Sequence, residues 1–338
     1  METSPILRYF LVGQIRREYI ITAEGKAFLD IVGGNALYAA GGLAVWDSNI
    51  GIVSRISNDF PHEFLTQISS KGFDIAGIIR INQTYPMNSF YAYRTPVIKS
   101  EETPVTVFNR VGIPFPKQLI KILPPDEQSS LSLIHDFEFI RPDTIPESYL
   151  DTSATHICPM DELTQQLLPI AFRQGNVTTI TLDPSSELMT PYSIGKIKDL
   201  AHTITALITS EDKLRKLYSG LTTDIWEMAE DIGSSGYTIV VIKRGVLGQF
   251  LYNSGNRNRW LIPAYPTTVV DITGAGDSFC GGFLAGYRNT YDPLEAVLYG
   301  NISASFTIEG TGPFYAMASL SELAQTRLNV LRQAVRKV

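Results

Sequence analysis

A carboxylate follows a compact glycine-rich turn in Asp271-Ile-Thr-Gly-Ala-Gly-Asp-Ser-Phe-Cys-Gly-Gly-Phe-Leu-Ala-Gly-Tyr287, at the point where an apolar helix begins. Gly274 and Gly276 can adopt backbone angles closed to other residues, so the peptide N–H groups around Ala275 can converge on one anion. Asp277 then stands beside that anion at the helix start. Two anions repel, so Asp277 is suited not to hold phosphate but to take a proton from a hydroxyl attacking a phosphoryl group. The pairing points to phosphoryl transfer. The structural alternative is that Asp277 merely caps the helix while the glycines let Phe279, Phe283 and Leu284 pack closely, and the local pattern leaves both open. Thr267 to Val270 read as a strand leading into the turn.

Rival phosphate motifs are missing. No G-x-x-x-x-G-K-[ST] occurs, and Gly274-Ala-Gly-Asp-Ser-Phe279 lacks both the third glycine of a dinucleotide fingerprint and its N-terminal βαβ setting. Protein-kinase signatures are absent as well. Twenty-eight Lys and Arg against 34 Asp and Glu give a net charge of −6, and no basic run interleaves with aromatics, which argues against a nucleic-acid partner. The amino terminus lacks a basic start followed by an apolar core, and no stretch of about 18 apolar residues occurs, so no membrane association and a cytoplasmic location are expected. Cys158 and Cys280 show no metal-ligand spacing and read as buried thiols, while His62, His135, His156 and His202 form no cluster.

The elements that must position the turn alternate. Apolar runs at Ile6–Val12, Ile50–Arg55 and Ile75–Ile79 are separated by helical patterns at Ala36–Trp46 and Phe60–Lys71. Further strands are expected at His156–Cys158, Thr178–Leu182, Ala206–Ile208 and Ile239–Ile242. Such alternation implies an α/β fold with a parallel sheet covered on both faces. Two segments break the rhythm: Glu18–Leu29 reads as a hairpin around Glu24-Gly25-Lys26, and Asn88–Tyr93 with Val105–Asn109 read as strands. Gly112–Ile145, rich in proline, reads as a connector. Val241–Tyr252 reads as strand, turn, strand, and Ser319–Val338 as an amphipathic helix that packs through Leu320, Leu323, Leu328 and Leu331.

Asp-x-Thr-Gly-Ala-Gly-Asp followed by Phe and Gly-Gly resembles the C-terminal signature of the ribokinase-like (PfkB) carbohydrate kinases, and Gly33-Gly-Asn-Ala-Leu-Tyr-Ala-Ala40 resembles their N-terminal glycine pair and helix. Gly51-Ile-Val-Ser-Arg-Ile-Ser-Asn-Asp59 and Lys71-Gly-Phe-Asp74 fit the same pattern, so the resemblance runs from about Leu11 to Gly312. It implies a single domain over 1–338 with a three-layer α/β/α ribokinase-like fold, a mostly parallel central sheet and a small β lid. The lid is expected near 14–30 and 84–111, where it can also pair two subunits as a homodimer. It further implies an ATP- and Mg²⁺-dependent kinase acting on a small sugar-like molecule, with Asp277 as base and the Gly274, Ala275 and Gly276 amides as anion hole. Glu18, Gly33, Gly34 and Asn35 would bind the acceptor, and Thr273, Lys243, Gly245, Gly248 and Asn301 the nucleotide.

Several of these residues carry a second reading. Glu18 within Arg16-Arg17-Glu18 is equally a solvated residue, Tyr38 stands where relatives carry Asn and is equally core, and Arg94 or Arg110 is equally an exposed strand residue. Lys243 is equally a turn lysine, Asn301 a helix-surface amide, and Asp183 before Pro184 a turn starter. One departure stands out. Relatives place Asn-x-x-Glu after the strand at Ala206–Ile208 to organise magnesium and phosphate, whereas this chain reads Ser210-Glu-Asp-Lys213. Glu211 or Asp212 could substitute, the nucleotide itself could hold the ion, or catalysis could be weaker. A nucleoside kinase and a non-catalytic ligand sensor are therefore the alternatives to a sugar kinase.

Overall fold

The structure, a computed structural model, describes residues 7–122 and 137–338. Its main sheet is built from short apolar runs buried on both faces, the burial expected of parallel strands. Seven of them run parallel: β1 (Tyr9–Val12), β4 (Ile50–Ile56), β5 (Asp74–Arg80), β8 (Ala154–Ile157), β9 (Thr179–Leu182), β10 (Ala206–Ser210) and β11 (Ile239–Lys243). Antiparallel strands β12 (Gln249–Asn253), β13 (Asn258–Ile262) and β14 (Arg336–Lys337) extend one edge. The order is β14-β13-β12-β11-β10-β9-β8-β1-β4-β5, so β9, β10 and β11 end side by side.

Helices cover both faces. Helices α4 (Glu162–Gln174), α5 (Glu211–Leu217) and α6 (Ile225–Ser234) bury Leu168, Phe172, Leu214, Met228 and Ile232 on one side. On the other lie α1 (Asn35–Ala44), α2 (His62–Ser70), α7 (Ala275–Thr290), α8 (Pro293–Thr307) and α9 (Ser321–Gln333). The expected three layers are present.

A second sheet, ordered β3-β2-β6-β7, consists of β2 (Arg16–Ile21), β3 (Ala27–Gly33), β6 (Asn88–Thr95) and β7 (Ile98–Lys99). The hairpin around Gly25 forms as expected, with Gly25 at φ +79°. The reading of Val105–Asn109 as a strand is corrected: the segment is helix α3 (Pro104–Val111). Local chemistry explains it, because the Thr103 side chain accepts from the Thr106 N–H, Pro104 opens the first turn and Gly112 closes the helix in the left-handed region. Val107 and Phe108 of α3 pack under Tyr19, Ile21 and Ala92, giving the lid its own small core.

Two further expectations change. Thr267 to Val270 form no strand, since the Val270 and Asp271 N–H groups both donate to the Ile308 carbonyl instead of joining a ladder. Of the four leucines expected to pack, Leu328 and Leu331 are buried on α9 beside Ala324, while Leu320 and Leu323 are exposed. The connector reading at Gly112–Ile145 agrees at its ends, where Lys117–Ile122 and Pro142–Thr144 are short 3₁₀ turns, and its middle lies outside the described residues together with His135.

Helices α1 and α7 approach until side chains cannot fit between them. A Cβ on Gly281 would lie 1.8 Å from the Ala39 carbonyl oxygen, and one on Gly42 2.1 Å from that of Ser278. Backbone atoms cannot swing aside, so Gly281→Ala is expected to cost about 3 kcal/mol or to prevent folding. By contrast, Gly195→Ala meets open space within its helix and is expected to be neutral or to stabilise by up to about 1 kcal/mol. Urea unfolding of both variants decides; equal midpoints would contradict the close-packing account.

Candidate active site

Helix α7 begins at Gly274, which takes φ +72° as the N-cap and lies flat against the Tyr38 ring, where a Cβ would be 2.0 Å from the ring. The Ala275 N–H, expected to point at an anion, is spent on the Ile272 carbonyl at 3.2 Å. The Gly276 and Asp277 N–H groups that follow have no acceptor among the described residues, and they lie at the positive end of a 16-residue helix. Gly274 and Gly276 thus shape the turn, and the N–H groups of Gly274, Gly276 and Asp277 are the ones left without an acceptor among the described residues.

Asp277 is not the helix cap. Gly274 holds that position, no side chain caps the helix, and the half-buried Asp277 carboxylate makes no hydrogen bond within the described residues. Burial pushes Asp277 up to about 6; Asp183 adds to the rise, while the charges of Lys243, Lys213 and Lys99 oppose it. A carboxylate that is unpaired, partly desolvated and close to neutrality in pKa is equipped to accept a proton.

A second helix N-terminus faces the same region. Gly34, at φ +101°, precedes α1, and its N–H donates to Glu18 Oε1 at 2.8 Å. The Tyr38 hydroxyl donates to Glu18 Oε2 at 2.9 Å. Glu18 is only 1% exposed, so the solvated reading is overturned, and Tyr38 is core with a polar tip. Burial raises Glu18 to about 7 although the Gly34 N–H and Tyr38 hydroxyl favour its ionised form. Gly33 lies directly on the Glu18 carboxyl, where a Cβ would clash at 2.1 Å. Asn35 accepts from the Gln14 N–H through Oδ1 and donates to the Pro159 carbonyl, tying the start of α1 to the ends of β1 and β8.

The residues expected at the nucleotide fall into two groups. Thr273 is locked: its N–H and hydroxyl both donate to Asp271 Oδ1, and its hydroxyl meets the Tyr93 hydroxyl of the lid at 2.6 Å. Lys243, at the end of β11, reaches the Gly276 carbonyl at 3.2 Å and so joins the α7 turn. Gly245 and Gly248 form the turn that follows it, before β12. Asn301 on α8 is buried, and both ends of its amide serve the chain: Oδ1 accepts from the Tyr265 N–H, and Nδ2 donates to Gln249 Oε1 and the Pro263 carbonyl. It holds the loop that passes in front of it. Arg94 is exposed, and Arg110 pairs with Glu102 on the lid surface.

Beside Lys243 sits an arrangement that residue-by-residue reading did not assemble. Asp183 ends β9, and its two oxygens accept separately from Lys213 Nζ at 2.8 Å and Lys243 Nζ at 2.5 Å. Burial opposes ionisation of Asp183, but the two ammoniums outweigh it and hold its carboxyl at about 2. Below it, burial lowers His156 to about 3, leaving the ring neutral, with Nδ1 against the Thr181 hydroxyl. Both cysteines are buried thiols as expected. The signal for the clamp was available in the strand alternation, since neighbouring parallel strands deliver their C-terminal ends to one place.

This donor set does not fit a divalent ion held by the protein. Both Asp183 oxygens carry ammoniums, Glu211 is paired with Arg215 and Arg244, and no group of three His, Cys, Asp or Glu among the described residues could ligate a metal.

On the acceptor side, a narrow open cleft lies beyond Gly13 between the ends of β1 and β4 and the lid. Its polar wall is a network missed in the sequence. Glu138 accepts from Arg16, from Gln14 Nε2 at 2.5 Å and from the Tyr85 hydroxyl at 2.7 Å. Gly13 connects this cleft to Asn35, against which a Cβ would lie 2.5 Å from Oδ1.

The profile of the pfkB family carbohydrate kinases matches residues 134–318, over half of the chain. A cytidine kinase of Thermococcus kodakarensis is 27% identical over 293 residues, covering 86% of this chain and 91% of the relative. A 5-dehydro-2-deoxygluconokinase of Lacticaseibacillus casei is 23% identical over 310 residues, covering 89% and 87%. Among solved structures, an E. coli protein assigned as Ribokinase II and crystallised with ATP and Mg²⁺ superposes with a TM-score of 0.69 at 17% identity, over 96% of this chain and 99% of that one. That likeness shows the ribokinase fold. No described helix is long and apolar enough to cross a membrane.

The raised pKa of Glu18 has a measurable sign. The native state holds this proton up to about pH 7, whereas the unfolded chain releases it near the ordinary 4.5. Glu18 therefore costs stability as pH rises across that window, on the order of 3 kcal/mol once fully ionised. Glu18→Gln keeps an acceptor for the Gly34 N–H, so its stability advantage over the wild type should grow from about pH 4.5 to 7 and then level off. Parallel stability curves for the two proteins would show that Glu18 titrates normally.

Proposed function

The chain belongs to the pfkB family of carbohydrate kinases, phosphotransferases with an alcohol group as acceptor, and from that premise we propose that it transfers the γ-phosphoryl group of ATP to a hydroxyl of a sugar or sugar-like molecule. The observation that carries this reading is Asp277, a carboxylate at the N-terminus of α7 without a partner among the described residues, beside backbone N–H groups that have no acceptor there and close to Lys243.

The acceptor enters the cleft lined by Gln14, Arg16, Ser57 and Glu138, with Glu18 and Asn35 at its inner end toward α7. Its hydroxyl oxygen attacks the γ-phosphorus as its proton passes to Asp277. The bond from that phosphorus to the bridging oxygen breaks, and ADP leaves with the bond's electron pair. Charge that develops on the equatorial phosphoryl oxygens meets the Gly276 and Asp277 N–H groups and the α7 dipole, donors that are fixed before the substrate arrives. Thr273, held by Asp271 and Tyr93, keeps the turn rigid and links it to the lid. Lys243 adds positive charge at the same end. This chain's described residues supply no ligand set for Mg²⁺, which would accompany the nucleotide and offset phosphate charge.

The acceptor side suits a polyhydroxylated molecule, because amide, guanidinium, hydroxyl and carboxylate groups line it together. The likeness to a cytidine kinase keeps nucleosides within the acceptor class to be screened, beside sugars and sugar acids.

Asp277→Asn is expected to lower kcat by at least about 10²-fold, the scale of losing a general base, while ADP binding persists. In the wild type, kcat/KM should climb through an apparent pKa near 6 as Asp277 loses its proton. Steady-state assays of ADP formation across pH, with a panel of sugars, sugar acids and nucleosides, test both; a variant that turns over at the wild-type rate ends the assignment of Asp277 as base.

A further inference from the structure

Position 213 lies between the ends of β9 and β11, at the opening of α5, where the Ser210 hydroxyl accepts from the Lys213 N–H at 3.3 Å. Its side chain returns to the strand ends. Of the three N–H bonds on Lys213 Nζ, one goes to Asp183 Oδ1 and one to the Pro184 carbonyl, each at 2.8 Å. The third has no acceptor among the described residues, and the side chain keeps 20% of its surface. Lys243 differs: its three donors meet Asp183, the Gly276 carbonyl and the Cys280 sulfur. Two ammoniums therefore share one buried carboxylate, and only Lys213 has both a donor and surface left to offer.

Resting on the kinase reading above, we propose that Lys213 is a tethered counter-cation for the terminal phosphates of the nucleotide, doing with a covalently attached charge what a divalent ion held by protein carboxylates would otherwise do at this strand end. Three observations converge on it. The clamp holds an excess positive charge that an anion would balance. Lys213 is joined through Asp183 to Lys243, which touches the α7 turn at Gly276. Asp183 and Glu211 are committed to cations, and no group of three His, Cys, Asp or Glu among the described residues could ligate a metal. A carboxylate at position 213 would instead face Asp183 across a hydrogen-bond distance and require a cation between them.

The consequence is that the full chain binds ATP without divalent metal, and that Lys213 is responsible. Calorimetric titration of ATP in EDTA and in excess Mg²⁺ tests this with the wild type, Lys213→Gln, Lys213→Arg and Lys213→Glu, each checked for thermal unfolding. Lys213→Gln should weaken metal-free ATP binding at least about tenfold, the scale of losing one charged hydrogen bond, and Lys213→Arg should retain most of it. Lys213→Glu should bind only when Mg²⁺ is present. Wild type and Lys213→Gln with equal metal-free affinity would overturn the role of Lys213. So would a wild type that binds ATP only with Mg²⁺, and in both cases the kinase reading stands. A wild type that binds no ATP under either condition removes the nucleotide reading and the role of Lys213 with it.

Discussion

The close contact of α1 and α7 is the constraint from which the site follows. Because Gly42 and Gly281 let the two backbones touch, the N-termini of both helices come to the same end of the sheet, one preceded by Gly34 and the other by Gly274. Tyr38 joins them: its ring lies on Gly274, and its hydroxyl holds Glu18, whose other oxygen takes the Gly34 N–H. Any side chain on the touching glycines would push the helices apart and separate the acceptor side from the phosphoryl side. Catalytic geometry here is set by backbone contact rather than by flexible side chains, which suits a reaction that depends on positioning.

That arrangement has an electrostatic cost, and the chain meets it unevenly. Glu18 and Asp277 are taken out of water without a cation bound to either, and burial raises both. Asp183, as deeply buried as Glu18, is given two ammoniums and stays ionised. Carboxylates of the same chemistry thus differ in protonation because of their partners alone. The two that the kinase reading assigns to hydroxyl protons and sugar hydroxyls are left responsive, and the one that organises cations is pinned.

Sequence and structure agree best where a pattern repeats. The strand and helix alternation, the hairpin at Gly25 and the turn before Asp277 were all legible, since each rests on periodicity or on glycine at a position that other residues avoid. Val105–Asn109 misled because β-branched and aromatic residues favour strands, while the Thr103 cap, Pro104 and Gly112 that decide for helix lie just outside the segment. Thr267–Val270 misled for the opposite reason: the residues are strand-like, but no partner strand is in place to accept them. Side-chain networks were the least legible. Glu138 reaches Arg16 across more than a hundred residues, and Lys213 reads as a lost glutamate until the sheet order brings it onto Asp183.

The cations around Asp277 also bear on how a base can work beside a triphosphate. Negative phosphate oxygens placed near a carboxylate whose pKa is already about 6 would raise it further and leave it protonated at neutral pH, idle as a base. Lys243, Lys213 and Lys99 push the other way, and they reach the site from β11, from the opening of α5 and from the lid strand β7. On the proposed kinase reading their charge serves twice, attracting the phosphates and holding Asp277 ionised in their presence. Lys99 acts from the small second sheet, so that sheet as well as the strand ends of the main one helps to keep Asp277 ionised.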